Sequence, residues 1–76
     1  MDDNEIHARI SALVAEEHRL RAGSPSPEEH TRLSELEVAL DQCWDLLRQR
    51  RARRDAGEDP DDAQARPVGE VEGYRQ

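Results

Sequence analysis

The stretch AGSPSPEE, residues Ala22–Glu29, decides how the rest of the chain is read. Gly23 suits a left-handed C-terminal helix cap. Pro25 and Pro27 cannot sit inside a helix, because proline lacks the N–H and clashes with the preceding turn. Ser26 can cap a new helix, with Pro27 in its first position and Glu29 in its third to complete a capping box. One helix therefore stops and a second starts within a few residues. A connection this short sends the second helix back antiparallel to the first.

Upstream, the segment from about residue 2 to 22 reads as a helix, with Asp2 as cap and Glu5 as its reciprocal partner. Ile6, Ile10, Leu13 and Leu20 form an apolar seam interrupted at Glu17, and Val14 widens the stripe toward a second face. Downstream, the helix predicted over about 27–55 carries an unbroken seam of Leu33, Leu36, Leu40, Cys43 and Leu47, spaced alternately by three and four residues. Val38, Trp44 and Leu46 lie off that seam. Gly57 and Pro60 end the helix. If Leu20 faces Leu33, then Leu13 faces Leu40, Ile10 faces Cys43, Ile6 faces Leu47 and Glu17 faces Leu36. One register matches both seams. The second helix outruns the first by roughly 10 Å at 1.5 Å per residue, and the arginine stretch is expected in that overhang.

The fold class is therefore all-α: an antiparallel two-helix, coiled-coil-like hairpin over residues 1–56, followed by an irregular acidic tail over 57–76. The tail holds GEDPDDAQ and RPVGEVEGYRQ, with Val68, Val71 and Tyr74 as its apolar anchors. By composition it should be disordered alone, unless those anchors dock on the hairpin or on a partner.

At 76 residues the chain is one domain, and only 34% of it is hydrophobic. Cores of this size are marginal without a staple. The single Cys cannot form an internal disulfide, and no Cys/His cluster has zinc spacing. Association with itself or another protein is the remaining route to stability. A rigid apolar ligand pocket is hard to build from such a chain, so no enzyme activity, cofactor, metal or small-molecule ligand is expected. No apolar run approaches the ~20 residues of a membrane span. The start, MDDNEI, lacks the basic and apolar regions of a signal peptide. A cytoplasmic setting is expected.

The net charge of −7 disfavours free nucleic-acid binding. All eleven basic residues are arginine, and five of them, Arg48, Arg50, Arg51, Arg53 and Arg54, form an island between acidic neighbours. They can bind phosphate, complement a helix C-terminus, or be neutralised by the acids from Glu58 to Asp62. No aromatic residues interleave them to stack bases. Cys43 reads as a small packed seam residue, and His7, His18 and His30 are too scattered for a metal site. Glu17 reads as a seam-edge carboxylate pairing with Arg32 or His30. Trp44, with Val14 and Leu46, marks a second contact face that could join two hairpins into a four-helix bundle. Arg50, Arg51, Arg53 and Arg54 would orient that contact.

The opening DDNEIHARISALVAEEHRLR, the restart SPEEHTRLSELE, the stretch LDQCWDLLRQRRARRDAGEDPDDAQ and the ending RPVGEVEGYRQ resemble a family of small actinobacterial proteins of unknown function. The resemblance covers nearly the whole chain and implies a short helical protein. It brings no activity or catalytic residues with it. Together the readings point to a small non-catalytic interaction or regulatory protein that associates with itself as a homodimer or with another protein. The alternative is an accessory protein associated with nucleic acid, such as RNA, the ribosome or a transcription complex.

Overall fold

The computed structural model describes residues 2–65. Helix α1 spans Asp3–Arg21, helix α2 spans Pro27–Asp55, and a single 3-10 turn follows at Pro60–Asp62. The described residues contain no strand. The two helices pack against each other and the 3-10 turn returns onto α2.

Both helices start as their sequences dictate. The Glu5 N–H donates to Asp2 Oδ1 at 2.8 Å, and the Asp2 N–H donates to Glu5 Oε1 at 3.3 Å. Ser26 and Glu29 repeat this box at 3.0 and 3.2 Å. Accepting the Ser26 N–H holds the Glu29 carboxyl below its ordinary value. Orphan N–H groups at each helix start are thereby satisfied by side chains.

The helix ends differ from one another. At α2 the Gly57 N–H reaches Arg54 O at 3.1 Å and the Glu58 N–H reaches Arg53 O at 2.7 Å, with Gly57 at φ +76°. This is a Schellman motif, which needs a left-handed residue at that point. The expected left-handed cap at Gly23 does not form: Gly57 holds the only positive φ among the described residues. Instead α1 closes with Ala22 in the right-handed region, its N–H directed to Arg19 O. Residues 23–26 then make the reversal without a left-handed step.

The core is a single stripe. Ile6, Ile10 and Leu13 of α1 and Leu33, Leu36 and Cys43 of α2 are buried. Leu20, Leu40 and Leu47, expected in the same seam, are half-buried and pack against it with Val14, Ala39 and Leu46. Two helices in contact can bury only their facing stripes, so the seam's edges stay open to water.

Ion pairs along both edges agree with the register read from the seams. Arg32 clasps Glu16 through Nε and Nη2 at 2.6 and 2.9 Å. Arg21 reaches Glu37 at 3.1 Å, and Asp3 meets Arg50 and Arg54. The acid that takes Arg32 is therefore Glu16, on the flank, and not Glu17. Glu17 pairs within its own helix with Arg21 at 3.5 Å. The overhang also differs from expectation. Asp3, in the first turn of α1, sits opposite Arg50 and Arg54, so most of the arginine stretch lies alongside α1 rather than beyond it.

Past Gly57 the described residues, up to 65, are irregular apart from the single 3-10 turn. Asp59 caps the 3-10 turn, accepting the Asp61 N–H at 2.9 Å. Residues 58–65 then run back along α2 as a strap, and Gln49 Nε2 donates to Gln64 O at 2.7 Å. The expected anchors Val68, Val71 and Tyr74 lie outside the described residues.

Candidate functional site

The arginine end comes first. Arg50 is 6% exposed, although it was expected on a contact surface. Its Nε donates to Asp3 Oδ1, and its Nη1 donates to Pro60 O at 3.1 Å and to Asp61 Oδ1 at 2.9 Å. Arg54 grips the same Asp3 with both terminal nitrogens, at 3.2 and 3.0 Å. Arg53 lies 3.9 Å from Glu58. The hydrogen bonds from Arg54 and then Arg50 hold the Asp3 carboxyl down at about 2. Those from Asp3 and Asp61 push Arg50 further up, so it stays charged.

Three segments thus meet on one guanidinium: the start of α1, the end of α2 and the strap. A planar guanidinium has five donors in a fixed fork and suits this role better than an ammonium would. Arg50 is spent inside the protein, and Arg53 and Arg54 are largely offset by acid. Arg51 remains exposed on α2.

The apolar candidates fall on two different flanks. Residues two apart on a helix point about 200° apart, so Trp44 and Leu46 cannot share a face. Leu46 turns toward a groove of about 180 Å³ lined by Ile6, Ala39 and Cys43, with Arg9 and Gln42 at its rim and Ala65 of the strap beside it. That volume falls below the ~300 Å³ at which small-molecule pockets begin. Trp44 lies on the opposite flank and is 45% exposed, the one large hydrophobic residue so exposed among those described. Its ring meets His7 edge-on, with centroids 6.2 Å apart and planes at 78°. Val14 follows His7 by seven residues on α1, which sets it on the same flank, and it is half-buried against the core. The structure therefore groups Val14 with Trp44 and leaves Leu46 to the other side.

Near the helix turn, Arg21, Pro25, His30, Leu33, Ser34 and Glu37 line a basin of about 460 Å³. The Arg21–Glu37 ion pair draws on both of its charged groups, and half of the lining residues are solvent-exposed. The histidines stay apart, with His7 on Trp44 and His30 at this basin.

Asp45 had no role in the sequence reading, yet it is fully buried. Gln49 Nε2 donates to its Oδ2 at 3.0 Å while also donating to the strap at Gln64 O. The only advance signal was the Asp45–Gln49 spacing of one helical turn, which is common on solvated faces. No helix among the described residues is long and apolar enough to cross a membrane.

Comparisons with known proteins place the chain in a family. No solved structure matches the chain. The uncharacterized protein Mb0922c of Mycobacterium bovis is 53% identical over 77 residues, covering 95% of this chain and 88% of that protein. The uncharacterized protein Rv0898c of Mycobacterium tuberculosis matches to the same extent. A family model described as "Protein of unknown function (DUF2630)" matches residues 2–76. A 53% identity across almost the entire chain, together with that match, means that the protein belongs to the DUF2630 family of proteins of unknown function.

Proposed function

We propose that the protein is a non-catalytic interaction module whose contact surface is the Trp44 flank of the hairpin. The observation that carries this reading is the exposed Trp44, set beside half-buried Val14, Leu40 and Leu47. A large aromatic side chain left half in water is the residue type most often found at the energetic centre of protein contacts. The small core adds support, because the six buried apolar residues among those described give a domain of this length little stability alone. Self-association into a helical bundle is the form of contact that would supply the missing burial. The cytoplasmic setting expected from the sequence belongs to the same reading.

The nucleic-acid alternative has less behind it. It needs arginines free to meet phosphate, and Arg50 and Arg54 are held by Asp3 and Asp61.

The two readings separate by capture from native-cell lysate at low and high salt. The baits are the unaltered protein, Trp44→Ala, and a variant with Arg51, Arg53 and Arg54 changed to Gln. A protein contact through Trp44 predicts that Trp44→Ala loses its partner and that capture survives salt. Capture that instead falls steeply with salt, is lost with the arginines and is indifferent to Trp44 would overturn the proposal.

A further inference from the structure

Glu37, Trp44 and Arg51 are spaced by seven residues along α2. A seven-residue step nearly closes two helical turns, so the three side chains form one stripe, acid then tryptophan then base. Trp44 is 45% exposed and Arg51 is exposed. The Glu37 side chain is 46% exposed, although Arg21 already touches one of its oxygens. At 1.5 Å per residue, the two charges sit about 10 Å to either side of the tryptophan.

This order is complementary to itself. When a second α2 is laid antiparallel along the stripe with a two-fold axis at Trp44, each Glu37 meets the other copy's Arg51. The two tryptophans meet at the centre. A carboxylate accepts from more than one donor, so Glu37 can keep Arg21 and take Arg51 as well. A parallel arrangement would instead set like charges against like. Isologous contacts require this kind of self-complementary patch. The neighbouring Val14, Leu40 and Leu47, half-buried in the single hairpin, would lose their remaining exposure in the dimer.

We propose that the occupant of the Trp44 flank is a second copy of this chain, bound antiparallel about a two-fold axis at Trp44 and fixed in register by reciprocal Glu37–Arg51 pairs. This rests on the reading of the Trp44 flank as a contact surface and names what covers it.

Sedimentation equilibrium of the full chain at moderate salt tests it. The unaltered protein should show about twice its 8.7 kDa mass. Trp44→Ala should weaken the dimer by about a hundredfold or more, as loss of a central hot spot does. Glu37→Arg alone and Arg51→Glu alone should each weaken it by roughly tenfold, because the symmetry counts every repulsion twice. The double variant Glu37→Arg with Arg51→Glu restores opposite charges and should recover most of the affinity. Circular dichroism of each variant checks that the helices persist.

A dimer in which the double variant is no better than the single ones would overturn the two-fold axis at Trp44. A dimer unaffected by Trp44→Ala would overturn both this arrangement and the Trp44 contact surface. A chain that stays monomeric overturns the second copy and leaves that flank to a foreign partner or to the chain's own C-terminal segment. In that case, a Trp44 emission shift on deleting residues 66–76 would assign the flank to the chain's own C-terminal segment.

Discussion

Leu36→Ala should remove a large share of the protein's stability. Leu36 has no exposed surface and is one of six buried apolar residues in the core among those described. The substitution removes three carbons, worth roughly 2.4 kcal/mol at about 0.8 kcal/mol each. The cavity left behind raises the cost to about 3 kcal/mol. For 76 residues, total stability is on the order of 4–11 kcal/mol. The loss is therefore a quarter to three quarters of everything available. It corresponds to a fall in Tm of roughly 12–24 °C for a domain of this size. Leu20→Ala is the control. Leu20 belongs to the same seam but is only half-buried, and its truncation should cost about 1 kcal/mol. Urea titrations followed by helical circular dichroism, at one fixed protein concentration so that association does not shift the midpoint, give both numbers. Equal, small losses at Leu36 and Leu20 would refute the argument that depth in the facing stripe sets each side chain's contribution.

Two further outcomes follow from the ends of the molecule. The Asp3 carboxyl is held at about 2 by Arg54 and Arg50, below the roughly 3.9 of a free aspartate. A depressed folded-state value adds stability above about pH 4 that is lost as pH falls toward 2. Asp3→Asn should lower stability at neutral pH and flatten the dependence in that window, read by urea midpoints at several pH values. At α2's end, Gly57→Ala should destabilise by about 1 kcal/mol in thermal melts. No atom lies within 4 Å of the added Cβ, so the cost is the φ of +76° alone.

Much of the fold could be read from the sequence because its determinants are local or periodic. Both capping boxes are four-residue patterns, and they form as written. The seams repeat every three or four residues, and matching their spacings gave a register with which the cross-helix ion pairs agree. What escaped depends on contacts between distant, irregular segments. Nothing in GEDPDDAQ announces that Asp61 and the Pro60 carbonyl will close over Arg50. Without that closure, Arg50 looks like the other arginines of its island. Asp45 is likewise buried on a face of α2 that periodicity marks as solvated. Gly23 shows the converse. A glycine after a helix permits a left-handed cap without requiring one, and α1 ends in the right-handed region. For the candidate surface, spacing alone isolated Trp44. The two-residue step from Trp44 to Leu46 also sets Leu46 on the opposite flank, a distinction that grouping the off-seam residues by exclusion overlooks.

The joint at Arg50 also bears on the order in which the molecule assembles. Contacts beside the Ala22–Ser26 reversal close loops of about a dozen residues, whereas Arg50 and Asp3 are 47 residues apart. Loop-closure entropy favours zipping from the turn outward, so this joint closes late. An interaction absent from the folding transition state acts on the rate of unfolding and hardly at all on the rate of folding. The joined ends would then work as a latch, setting how long a folded molecule lasts rather than how quickly it forms.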